Sequence, residues 1–224
     1  MHNFSEASDH ENAYDIAIHD ALKTTASLSP VGRLGIWYEG EISWVGDAAW
    51  AIDRAFSVND TSVVSHAYHK QWNVSLTVFD RTAPQKLGCV REVMFKNEST
   101  AVMKVKLMMH HLPQRDSSGM TFYAPEEQAL VHHYDDICSL FALHMPKATY
   151  IQHVAGSMDK HWCGNEGRLS FSPFSSDSAE SVVSATLSIA PEEQQVGAGW
   201  LLVAKQYDLL KDVHRRLRAT GQER

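Results

Sequence analysis

The stretch Ala101–Met145, AVMKVKLMMHHLPQRDSSGMTFYAPEEQALVHHYDDICSLFALHM, decides how the rest of the chain is read. Met103, Val105, Leu107 and Met109 alternate with Val102, Lys104, Lys106 and Met108, the period of two of a strand with one buried face. From Pro125 onward, Leu130, Tyr134, Ile137, Phe141 and Met145 recur at helical spacing, while His132, Asp135 and Asp136 fall off that stripe. The expectation is a strand that passes through a polar turn into a long helix.

Working outward, Asn12 to Leu28 reads as an amphipathic helix stopped near Ser29-Pro30. RLGIWYEGEISWV reads as two strands around Glu39-Gly40. Asp47 is placed to cap a short helix over AAWAIDRAF. QWNVSLTVFD is a strand with one wetter face, and KLGCVREVMF and KATYIQHVAG are further strands. GSMDKHWCGNEG is a loop and RLSFSPF an edge strand, with Pro173 keeping it at the rim. SDSAESVVSATLSIAP fits helix or strand. From Gly199 the residues Val203, Tyr207, Leu210, Val213, His214 and Leu217 form a helical stripe. This order predicts an α+β fold, an antiparallel sheet with helices packed on one face and a long C-terminal helix. The boundary is placed between a domain at 1–154 and an extension at 155–224, possible parts of one domain.

The 224 residues carry a net charge of -7, which offers no general attraction to nucleic acid or anionic membranes. Direct nucleic-acid binding is therefore not expected. No apolar run approaches the length of a bilayer span, and the acidic start is unlike a signal peptide, so the expected location is the cytoplasm. Cys89, Cys138 and Cys163 are odd in number and lack a CxxC pair, which excludes a disulfide scaffold.

Thirteen histidines raise the prospect of metal or haem. On the expected helix His133 and His144 would lie about 16 Å apart and could not share one ion. His110 and His111, adjacent on a strand, face opposite sides. No cofactor is assigned, and the metal ligands stay unknown. The run from His110 to Asp116 lacks the spacing of the condensation-enzyme HHxxxDG motif, and GDAAW lacks the His and the glycine-rich turn of flavin enzymes. Trp37, Tyr38, Trp44, Trp50, Tyr68 and Trp72 cluster in 36 residues, which suits a pocket for a small organic ligand. The expected ligand-binding residues are Trp37, Tyr38, Trp44, Trp72, His110 and His111.

GMTFYAPEEQALVHHYDDICSLFALHM resembles the closing strand and helix of GAF/PAS-type sensory domains, and AVMKVKLMMHHL and RLGIWYEGEISWV are similar to that fold's central strands. The likeness covers residues 12–145. YHKQW at 68–72 is distantly similar to the ligand-binding half of LuxR-type regulators, although Leu76 stands where that family has its pocket Tyr. The resemblance implies a regulatory protein that binds an organic ligand between sheet and helices and signals by homodimerising through its C-terminal helix or by partner contact. The competing expectation is a His-dependent enzyme, using His110 or His111 with Asp116 or a metal or haem site.

Overall fold

A computed structural model of the protein describes residues 32–56, 62–112, 119–134, 136–176, 178 and 180–222. The helix expected over 12–28 lies outside them. In chain order the described strands are β1 (Arg33–Tyr38), β2 (Glu41–Trp44), β3 (Trp50–Phe56), β4 (Ser62–His69), β5 (Val74–Thr82), β6 (Gly88–Asn97), β7 (Met103–His111), β8 (Met120–Ala124), β9 (Ala129–Tyr134), β10 (Ile137–His144), β11 (Tyr150–Ala155), β12 (Trp162–Cys163), β13 (Arg168–Leu169), β14 (Phe174–Ser175), β15 (Ser181–Ile189) and β16 (Gln194–Ala204). The helices are α1 (Met158–His161), between β11 and β12, and α2 (Tyr207–Gln222), after β16.

Two antiparallel sheets face each other. One has five strands in the order β11-β15-β7-β1-β2; the other has nine, β14-β8-β9-β10-β16-β6-β5-β4-β3. Ile36, Val105 and Leu107 from the smaller sheet meet Leu76, Phe95, Leu130 and Phe141 from the larger in one core, the arrangement of a β-sandwich. Gly197 and Gly199 on β16 leave room inside for the flexible side chains of Met145 and Met109. Arg91 lies fully buried between the sheets. It donates to both carboxylate oxygens of Asp80 at 2.7 and 2.9 Å and to the Gly32 carbonyl at 2.9 Å. Burial alone would lower its pKa, but Asp80 outweighs that and keeps the guanidinium charged.

Outside the larger sheet, α2 lays Leu210, Val213 and Leu217 against Leu140, Trp200 and Leu202. The Trp200 indole N–H donates to His214 Nδ1 at 3.0 Å, and His214 Nε2 donates to the Glu127 carbonyl at 2.8 Å. An indole only donates, so the His214 proton sits on Nε2. The apolar stripe of the C-terminal helix is thus engaged by the molecule's own sheet. Among the described residues no helix is long and apolar enough to cross a membrane.

The α+β expectation is overturned: the protein is a largely β, sandwich-like fold rather than one sheet with helices on a face. The decisive error is the helix from Pro125. In its place β8, a Pro125–Gln128 turn with Gln128 at φ 52°, β9 and β10 form a meander. Leu130 pairs with Phe141 and Tyr134 with Ile137 across the β9–β10 hairpin, so four members of the apparent helical stripe are cross-strand neighbours. The pattern misled because α2 buries the outer face of β10 while the core buries the inner one. A strand covered on both sides reads as a continuous apolar run without alternation.

The short helix expected after Asp47 is β3; Asp47 instead closes a turn, its Oδ2 accepting from Trp44 N at 3.1 Å. The ambiguous stretch at 177–190 contains β15, and the final helix starts at Tyr207 because Gly199 to Ala204 belongs to β16. The strands expected at β1, β2, β5, β6, β7 and β11 are present. Residues after 155 supply β15 and β16, which pair with β7, β11, β6 and β10.

Candidate functional site

Five of the six residues expected to line a pocket lie on the smaller sheet and divide between its two faces, while Trp72 stands in the β4–β5 turn of the larger sheet. Trp37, Trp44 and His110 point outward from the smaller sheet. There Trp37 donates its indole N–H to the Gly164 carbonyl at 3.0 Å, and the Gly167 backbone lies against its ring with no room for a Cβ. Trp44 lies over Gly35, with the Arg33 guanidinium 4.6 Å from its ring centre and His110 at 5.7 Å. With Met108, Val154, Met158, Leu169, Val182 and Trp162 they form a small outer core that seats the α1–β13 segment on the sheet.

Tyr38, Trp72 and His111 point inward. Tyr38 meets Trp72 edge-to-face at 5.7 Å, and Trp72 stacks on His69 at 4.0 Å. Trp50 and His69 both bond the Ser43 hydroxyl, at 2.9 and 3.1 Å, and Trp72 N donates to His69 Nδ1 at 3.2 Å. The cluster is a packed plug at one end of the sandwich, with the Trp50 indole N–H and both His69 ring nitrogens hydrogen-bonded.

The opposite end holds buried histidines. His132 lies between the Ser139 and Ser181 hydroxyls at 2.9 and 2.8 Å, with the His111 ring 4.8 Å away. Burial, then the neighbouring His110, pushes the His111 pKa down to about 4, and burial holds His132 well below the usual histidine range. His153 packs on Tyr123 at 4.6 Å and burial lowers it to about 4. His110 meets Glu180 at 2.8 Å; burial lowers its pKa, and Glu180 opposes the shift. The same Glu180 oxygen accepts from Met158 N at 2.8 Å, which ties the pair to the start of α1. Asp116 lies outside the described residues. Among those described, no three His, Cys, Asp or Glu side chains are arranged to hold a metal ion. At neutral pH these imidazoles are uncharged parts of the packing.

Among the described residues an open concavity lies on the outer face of the larger sheet, over β3, β4 and β5, with a volume of about 390 Å³. Register builds it: Asp53 pairs with His66 and His66 with Thr77, while Ala51 pairs with Tyr68 and Tyr68 with Ser75. Two rows of three residues therefore share one face. His66 Nδ1 and Thr77 Oγ1 lie 3.1 Å apart. The Tyr68 hydroxyl donates to Asn73 Oδ1 at 2.8 Å, and Ser75 donates to Glu98 at 2.7 Å. Sequence reasoning noticed the wetter face of β5 but not the two strands that complete it. The signal was the second half of the alternation, His66 and Tyr68 against buried Ala67 and His69.

No protein-family model matches the chain. No curated protein matches it by sequence. Among solved structures it is similar to a protein assigned as a kojibiose phosphorylase from the human microbiome, with 10% identity and a TM-score of 0.53, over 84% of this chain and 25% of that one. It also aligns with a heparinase III gene product (10% identity, 66% of this chain, 20% of that one, TM-score 0.44) and a GH36 α-galactosidase from Geobacillus stearothermophilus (11% identity, 77% and 30%, TM-score 0.33). The last two scores carry no argument; the first supports the fold. The chain spans roughly a quarter of the length of these neighbours.

The expected likeness to GAF/PAS sensory domains and LuxR-type regulators does not hold, because the strand-to-helix unit that carried it is a β-meander in a sandwich. The sensory and signalling role falls with it. The helix from Pro125 that was expected to roof the tryptophans is β9 and β10.

Proposed function

We propose that this chain is a carbohydrate-binding β-sandwich module of a carbohydrate-processing enzyme. The observation that carries the reading is the two-sheet architecture shared, over 84% of the chain, with a protein whose name assigns it to kojibiose phosphorolysis. The match takes up 25% of that neighbour, which suits a module's share of a larger enzyme. An exposed sheet face carrying an aromatic ring among hydroxyl, imidazole and carboxylate groups is chemically suited to sugars, whose rings present both C–H faces and hydroxyl edges.

Calorimetric titration of the purified chain with kojibiose, maltose, cellobiose and lactose tests this. At least one disaccharide is expected to bind saturably, in the micromolar to millimolar range common for small polar ligands. No binding by any of them, with the protein folded, would overturn the reading.

A further inference from the structure

We infer that the outer face of the smaller sheet, on the opposite side of the sandwich from the β3–β5 concavity, holds a saccharide that carries a carboxylate or sulfate group. This rests on the carbohydrate reading above and goes further by naming the residues and the ligand's charge. Strand register lays one row across all five strands: Ile42 pairs with Trp37, Trp37 with Lys106, Lys106 with Thr186, and Thr186 with Tyr150. Adjacent strands lie about 4.8 Å apart, so Trp37 and Tyr150 stand about 14 Å apart with Lys106 and Thr186 between them. Lys104, exposed and paired with Ser188, adds a second ammonium group to the same face, roughly 6.7 Å along β7.

The two lysines carry the argument. β7 is the central strand of the five, where a charge is ordinarily answered by an opposite charge on the next strand. Here the cross-strand partners are Trp37, Thr186 and Ser188. Among the described residues Lys96, Lys147, Lys205 and Lys211 each pair with a carboxylate, whereas Lys104 and Lys106 do not. Glu166 is engaged by Arg168 at 2.9 Å, and Glu39 and Glu41 act on Tyr38 and His69 at the inner face. Burial, then the neighbouring Arg168, lowers the Lys106 pKa. Its ammonium group has lost water and meets a like charge, and a ligand anion supplies the missing counter-charge.

The row is set before a ligand arrives. Lys106 Nζ donates to Gln152 Oε1 at 3.4 Å, and Gln152 is anchored by donating to the Leu169 carbonyl at 2.9 Å. The Trp37 ring, 5.9 Å from the same ammonium group, is fixed by its bond to Gly164. Less ordering is then left to the binding step. At the other end Tyr150 is 61% exposed and offers a ring to the C–H face of a sugar. Thr149 donates to the Thr186 carbonyl at 3.2 Å and keeps lone pairs for a sugar hydroxyl. A neutral sugar would leave Lys106 unanswered, and a bare anion would leave Tyr150 unused; an acidic saccharide meets both.

The test is calorimetry on the full chain with cellobiose and with its acidic counterpart, glucuronate β-1,4-linked to glucose, at low and at high salt. Wild type is compared with Lys106→Gln and Tyr150→Ala, with Tyr68→Ala on the other sheet as the control. All three positions are exposed or half-buried, and thermal melting confirms that each variant is folded. The acid is expected to bind saturably at low salt and to weaken about fivefold in Lys106→Gln, the scale of one charge pair. High salt and Tyr150→Ala should each weaken it by a similar factor, and Tyr68→Ala should bind as wild type does. Acid binding indifferent to both Lys106→Gln and Tyr150→Ala would overturn the site and leave the carbohydrate reading standing, as would binding of cellobiose without the acid. Cellobiose that displaces the acid from wild type at equal concentration would overturn the acidic class. Inorganic sulfate that competes as well as the acid, with Tyr150→Ala without effect, would reduce the row to an anion site and overturn the sugar. If folded wild type binds neither disaccharide, the site and the carbohydrate reading both fall.

Discussion

Acidification below pH 6.5 should destabilise this protein well before its carboxylates titrate. His111, His153 and His214 are buried, and each has its pKa pushed down to about 4, chiefly by burial. In the unfolded chain each titrates near 6.5. A histidine whose folded pKa lies below its unfolded value takes up its proton first in the unfolded state, so the unfolded chain binds more protons between about pH 4 and 6.5. The stability these groups contribute is complete above the unfolded pKa and is lost as pH falls toward the folded one. Between about pH 7.5 and 5.5 the loss is roughly 1.4 kcal/mol for each group, on the order of 4 kcal/mol for the three. His132, displaced further in the same direction, adds to it. That is a large part of a typical domain's 5–15 kcal/mol. Urea unfolding followed by tryptophan fluorescence at about pH 7.5, 6.5 and 5.5 measures the effect. His153→Phe, which keeps a ring on Tyr123, should remove about 1.4 kcal/mol of that pH dependence. Equal stability at the two extremes would refute the assignment of these imidazoles as buried and neutral.

Asp80→Asn leaves the Arg91 guanidinium buried without its counter-charge and should cost about 3–5 kcal/mol in urea unfolding; a loss under about 1 kcal/mol would show the pair to be solvated. Gly197→Ala should be worse than Gly199→Ala. A Cβ at Gly197 meets the His144 carbonyl at 2.6 Å as well as the Met145 sulfur, whereas at Gly199 it meets mainly the mobile end of Met109, with the Ala142 carbonyl at 3.2 Å. Overpacking of this kind typically costs about 1–3 kcal/mol, with the larger value expected at 197. Gly167→Ala would press a methyl group into the Trp37 ring from a backbone at φ 56°. It should loosen the β12–β13 segment, read as faster amide exchange there with β7 unchanged.

The strands whose outer face meets water were legible in the sequence. β7 alternates lysine with methionine and valine, and the Glu39-Gly40 turn, with both residues at positive φ, joins β1 and β2. What stayed hidden were elements covered on both sides. The β9–β10 hairpin lost its alternation to α2, and β16 ran on from the apparent helical stripe of that same helix. Composition made the tryptophans look like one pocket. Strand register sends Trp37 and Trp44 to the outer face and Tyr38 to the inner, a difference of one residue that no count of aromatics reveals, while Trp72 reaches the inner cluster from the β4–β5 turn of the other sheet. The groove was hidden for a related reason: Asp53, His66 and Thr77 become neighbours only through the pairing of three strands.

The most direct test of the central claim is a two-dimensional amide NMR titration of the whole chain with kojibiose. The account predicts saturable shifts of one contiguous set of surface amides, with the buried core amides unmoved. A spectrum indifferent to sugar, with the protein folded, would contradict it.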